Sequence, residues 1–218
     1  MRLIVFDLDG TLIDSRQDLA DAANALIAQR GGSPLPVDAV TAMVGEGAAL
    51  LVRRALTAAG LTVNVDADLP RFLELYDERL LAHTRLYPGT MDALERLASQ
   101  ATLAVLTNKP QRPTETILRG LKIDRHFAQV IGGDTAFGRK PDPAGLRHII
   151  STAGAADAKT VLVGDSAIDL RTARAAGIRL CLVKYGFGFP LAVPELTGQD
   201  ALIEAPDQLV AVLGSSPA

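Results

Sequence analysis

The chain has 218 residues, 48% of them hydrophobic, and a net charge of −3. That length suits one large domain or two smaller ones, and the composition is ordinary for a globular protein with a sizeable core. So weak a negative charge gives no footprint for nucleic acid or an anionic membrane surface. No apolar stretch approaches the ~20 residues of a membrane span, and the first residues lack signal-peptide architecture, so the expected setting is cytoplasmic. Cys181 is the only cysteine. Within Leu180-Cys181-Leu182-Val183 it reads as a buried, inert thiol.

The apolar run Leu3 to Phe6 reads as a buried strand that leads directly into Asp7-Leu8-Asp9-Gly10-Thr11. Alternation along an extended chain puts Asp7 and Asp9 on one side. Two carboxylates that close repel, so the site calls for a cation, a shared proton or both. Gly10 permits a sharp backbone turn. Ser15, with Asp18 three positions on, reads as a capping box. It opens a helix with Leu19, Ala22, Ala23, Leu26 and Ile27 on one face, ended by Gly31-Gly32. Further helices are expected over 37–44, 48–59 and 69–83, with Gly45-Glu46-Gly47 between the first two. Residues 15–84 therefore read as an all-helical insert.

Beyond Leu86 strands and helices alternate. Strands are expected at 102–106, 129–131, 160–163, 179–183 and 201–203, and helices over 114–121, 143–153 and 168–176. Such alternation implies a parallel sheet flanked by helices, which the first strand joins across the insert. The expected fold is an α/β, Rossmann-like core built from residues 1–14 and 85–218, carrying a helical cap domain over 15–84. Residues 214–218 read as a loose tail.

In open parallel sheets, sites form beyond the carboxyl ends of the strands. Three expected strand ends carry polar chemistry: Asp7 and Asp9, then Thr107 and Asn108, then Asp165 with Asp169 four residues on. Lys140 lies on a loop leading out of a fourth strand. Asp7 can attack phosphorus as a nucleophile, and Asp9 can give and take the proton at the leaving oxygen. Thr107, with Asn108 beside it, can hold phosphate oxygens, and Lys140 supplies a point charge for the phosphoryl group and Asp7. Asp165 suits Mg²⁺, a hard ion that prefers oxygen ligands. Four aspartates, Mg²⁺ and Lys140 sum to about −1 before a substrate phosphate adds its own charge, so a carboxyl should carry a proton, and Asp9 is the candidate.

These residues resemble the haloacid dehalogenase-like hydrolase superfamily, whose signatures are D-x-D-x-T, a strand-end Thr or Ser, a Lys and G-D-x-x-x-D. The likeness covers the whole chain and all four motifs. Within that superfamily the chain is most similar to the phosphoglycolate phosphatases, through residues 7–15, 44–48, 51–56, 83–89, 106–110 and 133–143. The resemblance implies a phosphomonoesterase working through an aspartyl-phosphate, with 2-phosphoglycolate as the expected substrate. It also implies that Asp7 and the backbone carbonyl of Asp9 join Asp165 as Mg²⁺ ligands, with Asp169 supporting the metal directly or through water.

Asp9 argues against dehalogenation, and the absence of lysine from 15–84 removes the cap-lysine Schiff base of phosphonatases. A phosphohexomutase, a pyrophosphatase or nucleotidase, and a catalytically silent binding protein stay open as alternatives. The insert is expected to close over the site as a lid, with Gly45 and Glu46 in its substrate-facing loop and Arg53 or Arg54 pairing with a substrate carboxylate. His83 and Tyr87 lie near the return hinge, with packing or catalysis as their role. The expected partner is a small phosphomonoester, and the chain is expected to be a monomer or homodimer.

Overall fold

The computed structural model describes residues 2–197 and 200–214. Strand β1 (Leu3–Phe6) and the short β2 (Ile13–Asp14) precede four helices: α1 (Arg16–Gln29), α2 (Val37–Thr41), α3 (Ala48–Ala58) and α4 (Val65–Asp77). Next come β3 (Arg85–Leu86), α5 (Thr90–Ala98), β4 (Thr102–Leu106), α6 (Gln111–Gly120), β5 (Phe127–Ile131) and α7 (Ala144–Ala153). The chain closes with β6 (Thr160–Gly164), α8 (Ala167–Ala176), β7 (Arg179–Val183), α9 (Phe189–Ala192), β8 (Ala201–Ile203) and α10 (Gln208–Gly214). Helix α10 takes in Gly214, the first residue of the expected tail; the rest of that tail lies outside the described residues.

Six strands form one parallel sheet in the order β5-β4-β1-β6-β7-β8. The first strand is thus central, between β4 and β6, because all four of its residues are apolar and both its faces are covered. Alternation along β1 divides the core: Leu3 and Val5 pack with Leu146, Ile149, Leu162 and Leu170 on one face, and Ile4 and Phe6 pack with Leu94, Leu97 and Ile117 on the other. Cys181 is buried in β7, where burial pushes its thiol up to about 12, as an inert core residue requires. Among the described residues no helix is long and apolar enough to cross a membrane.

Helix α1 packs on α2 and α4, and α3 packs on α4. Phe72 and Tyr76 stack at 5.9 Å inside this helical unit. Strands β2 and β3 pair antiparallel where the chain leaves and re-enters, Ile13 opposite Leu86 and Asp14 opposite Arg85. Two residues per strand give no periodicity to read, so this ribbon was not legible in the sequence.

Two expectations need correction. Helix α4 covers 65–77 rather than 69–83. Its start is set by buried Asp68, which accepts the Asn64 backbone N–H at 2.8 Å and pairs with Arg30, a tertiary tie that apolar spacing does not show. Nor do Ser15 and Asp18 form a capping box. The Ser15 hydroxyl donates to Asp9, and Asp18 accepts from the backbone N–H groups of His83 (2.9 Å) and Thr84 (2.8 Å) and from the Thr84 hydroxyl (2.7 Å). Asp18 is fully buried and fastens the first turn of α1 to the returning chain just before β3.

Burial alone would raise the pKa of Asp18, but the Thr84 and His83 hydrogen bonds outweigh it and hold the carboxyl below its ordinary value. A lowered folded value contributes stability that is present above the unfolded pKa and lost as pH falls through the folded one. Asp18→Asn should therefore lower unfolding free energy at neutral pH by about 2–3 kcal/mol, the scale for buried donors left facing the wrong group. Denaturant titration measures this, and the gap to wild type should close in acid once Asp18 itself is protonated.

Candidate active site

The carboxyl ends of β1, β4 and β6 meet at one edge of the sheet, where Asp7, Thr107 and Asp165 follow directly on the last strand residues. A cavity at this edge is lined by Asp7, Asp9, Thr107, Asn108, Lys109 and Asp165 from the core, and it is roofed by Gly45, Leu51, Phe72 and Tyr76 from the helical unit. Asp7, Asp165 and Asp169 are all buried, and ligand oxygens of the three lie within 4.8 Å of one another.

The backbone approaches closely to make this crowding. Gly10 has φ +83°, and a Cβ there would stand 2.1 Å from Asp165 Oδ2. Only glycine meets both conditions, so the turn that follows the two aspartates also walls Asp165.

Lys140 is buried and its ammonium bridges two carboxylates, Asp7 Oδ1 at 2.8 Å and Asp169 Oδ1 at 2.6 Å. Asn108 holds the loop that carries it. Its Oδ1 accepts the Lys140 N–H at 2.8 Å, and its Nδ2 donates to the carbonyls of Lys140 and of Gly45 in the helical unit, each at 2.9 Å. The Asn108 amide is thus engaged with protein, a positioning arrangement rather than a free phosphate donor. Asp169 begins α8 in a reciprocal capping box with Ser166: its Oδ2 accepts from the Ser166 N–H and hydroxyl. Both of its oxygens are therefore occupied.

Burial is the largest influence on Asp7, Asp165 and Lys140. It pushes Asp7 up to about 7, with the Lys140 charge opposing the rise. It carries Asp165 well above the carboxylate range, helped by repulsion from Asp169 and Asp7. For Lys140 burial works downward, but the Asp169 and Asp7 charges outweigh it and raise the group overall. Among the described residues Asp165 has no ion-pair partner of its own, and its Oδ2 accepts the Gly188 N–H at 2.7 Å. Buried oxygens repelling one another with one lysine among them form a donor set that fits a divalent cation, held by Asp7 and Asp165. Asp169, already bound to Lys140 and Ser166, would support that arrangement rather than supply a free oxygen.

Of the residues singled out from sequence, Asp7, Asp9, Thr107, Asn108, Gly45 and Asp165 line the cavity, and Lys140 and Asp169 stand directly behind it. Thr107 is buried, and its hydroxyl oxygen accepts the Lys109 N–H at 3.2 Å. Glu46 and Arg54 do not belong to the lining: they pair with each other at the surface, and Arg54 also donates to the Met43 carbonyl. Arg53 is exposed and is likewise outside the lining. His83 is exposed, with its ring Nδ1 3.0 Å from Asp18, and Tyr87 packs on Tyr185 at 4.7 Å; neither lines the cavity.

One residue was missed. Lys109 is buried, its ammonium lies 3.1 Å from both oxygens of Asp9, and it sits 4.6 Å from the centre of the Tyr76 ring. The sequence held a signal, since Lys109 follows Thr107-Asn108 in the same strand-end run. With Lys109 counted, the four aspartates, two lysines and a divalent cation balance before substrate enters, so the negative charge that calls for a proton on Asp9 is that of the arriving phosphate.

A family model described as haloacid dehalogenase-like hydrolase matches residues 4–183. A phosphoglycolate phosphatase of Rhodospirillum rubrum is 43% identical over 85% of this chain and 80% of its own length. Phosphoglycolate phosphatase 1 of Pseudomonas aeruginosa is 40% identical over 88% of this chain and 73% of its own. A crystal structure from Haemophilus somnus, described as a predicted phosphoglycolate phosphatase, superposes with a TM-score of 0.91 at 29% identity and covers 97% of both chains. With the aspartate-lysine edge, the parallel sheet and these relatives in agreement, the chain belongs to the haloacid dehalogenase-like hydrolase family.

Proposed function

We propose that this protein is a Mg²⁺-dependent phosphatase of small phosphomonoesters, with 2-phosphoglycolate as substrate. The observation that carries the reading is the pairing of a lysine-held carboxylate, Asp7, with a second carboxylate, Asp9, in one roofed cavity beside an acidic cluster. The curated relatives named above support the choice of substrate, and the added presence of Asp9 favours phosphoryl transfer over displacement of halide.

Lys140 fixes Asp7 through Oδ1 and offsets the charge that gathers when a phosphate dianion arrives. Asp7 attacks phosphorus, the bond from phosphorus to the alcohol oxygen breaks, and Asp9 gives that oxygen its proton. Asp9 then takes a proton from water, which attacks the aspartyl-phosphate and releases inorganic phosphate and the free Asp7 carboxylate. The Thr107 hydroxyl lies in the lining where it can donate to a phosphoryl oxygen. Mg²⁺, held by the Asp7 and Asp165 carboxylates and the Asp9 backbone carbonyl, would supply charge neutralisation and orientation of the phosphate. Helices α1 to α4 are read as a cap over residues 15–84 that excludes water, with the Asn108–Gly45 hydrogen bond joining cap to core.

Phosphate release from 2-phosphoglycolate should require Mg²⁺ and stop on chelation. Asp7→Asn should lower kcat by at least about 1000-fold while circular dichroism stays that of the wild type. Turnover of comparable rate in the variant would reject Asp7 as the nucleophile.

Stability gives an independent check on the cation. A folded pKa raised above the unfolded value favours folding below the unfolded pKa, and that advantage is lost as pH rises through the folded one. For Asp7 the window runs from its ordinary 3.8 to about 7. In metal-free protein at pH ~8, Asp7→Asn should therefore melt above wild type, with the advantage shrinking as pH falls through that window. Saturating Mg²⁺ should reverse the order, because binding to the folded state alone stabilises it and the variant has lost a ligand. Differential scanning calorimetry at several pH values reads both effects.

A further inference from the structure

Apart from Lys109, the lining contributed by residues that flank the phosphate chemistry is short of charge. The helical unit presents Leu19, Val44, Leu51, Phe72 and Leu73 to the cavity, and the arginines once expected to meet a substrate carboxylate do not line it. Among the described residues, Lys109 is the one cationic side chain in the lining. Two of its three N–H donors are accounted for by the oxygens of Asp9, which leaves one.

Tyr76 lies against it and shows an independent irregularity. The side chain is 2% exposed, it lines the same cavity, and its hydroxyl stands beside the Lys109 ammonium without making a hydrogen bond of good geometry to any of the described residues. A buried hydroxyl without a partner costs on the order of 1–3 kcal/mol, so its retention calls for an explanation. Burial pushes its pKa up to about 12, and the hydroxyl therefore stays a donor at neutral pH.

We propose that Lys109 and Tyr76 form the subsite that recognises a carboxylate on the alcohol portion of the phosphomonoester. One free ammonium donor and one free hydroxyl donor match the two oxygens of a carboxylate. A second phosphate, with more charge and more acceptors, would call for more cations than this lining holds. Position agrees with chemistry: Lys109 touches the carboxyl that serves the leaving oxygen, and in 2-phosphoglycolate a single methylene separates that oxygen from the carboxylate carbon. The apolar helical lining leaves a neutral polar group at the same place without a partner of matching strength. This assignment rests on the phosphatase reading and adds to it the residues that select an acidic leaving group.

The test compares 2-phosphoglycolate with 2-hydroxyethyl phosphate, the ester in which the carboxylate becomes a neutral hydroxymethyl, on the Mg²⁺-loaded enzyme. Wild type should favour the acidic ester in kcat/KM by roughly 100-fold, the scale at which a site built for a polar group rejects an analogue without it. Lys109→Met, which leaves Asp9 with the Ser15 hydroxyl but without its cation, should slow both esters, but the acidic one at least about tenfold more. Tyr76→Phe keeps the ring and removes only the hydroxyl, so it should cut the preference by roughly threefold to tenfold, with the loss falling mainly on the acidic ester. Equal losses on both esters would overturn the subsite and leave Lys109 as a partner of Asp9 alone. Wild-type turnover without preference for the acidic ester would overturn it while the phosphatase reading stands. No phosphate release from either ester would withdraw both. Should Lys109→Met fail to fold, Tyr76→Phe decides on the same criterion.

Discussion

Three aspartates buried within a few ångströms of one another at the end of a parallel sheet repel strongly, and the architecture of this edge follows from that repulsion. Lys140 lies between two of them, Asp7 and Asp169. Asp169 spends its second oxygen on the Ser166 cap at the start of α8. Asp165 is left with a backbone N–H and the neighbourhood of like charges, which is the condition a divalent cation relieves. The repulsion that makes the site costly is also what makes these oxygens a donor set that could hold a metal. Such trade of stability for reactivity is common where active groups are gathered in low dielectric.

The cost is held in place by parts that do no chemistry. Gly10 lets the backbone pass within a distance of Asp165 that any side chain would block. Asn108 spends its whole amide on the Lys140 loop and on Gly45, so one residue fixes the buried lysine beside Asp7 and joins the two layers of the cavity. Asp18 does the equivalent at the hinge, where it anchors the departing helix to the returning chain. Asn108 and Asp18 are polar, buried and engaged with partners, as polar groups in a dry interior have to be.

Legibility followed range. The strand-helix alternation, the central place of residues 3–6 and the convergence of Asp7, Asp9, Thr107, Lys140 and Asp165 could be read because each depends on local pattern plus the rule that sites form at strand ends. What misled was local pattern with a distant competitor. Ser15 and Asp18 have capping-box spacing, but Asp9 and the His83–Thr84 backbone outbid the helix for them. Arg54 has a charge suited to substrate, but Glu46 is nearer. Lys109 escaped notice because its importance comes from Asp9, a hundred residues away in sequence.

By itself the amino-acid sequence determined the α/β class, the helical insert and the residue types available for phosphoryl transfer, since apolar periodicity and strand-end chemistry are written in consecutive residues. Only the tertiary structure decided which of those polar groups face the cavity and which are spent on one another. It engaged the Asn108 amide and both Asp169 oxygens with protein, left Glu46 and Arg54 outside the cavity lining, and brought in Lys109 with Tyr76. The physical reason is that a buried hydrogen-bonding group takes the nearest partner in space, and that partner is set by the packing of sheet against helices rather than by spacing along the chain.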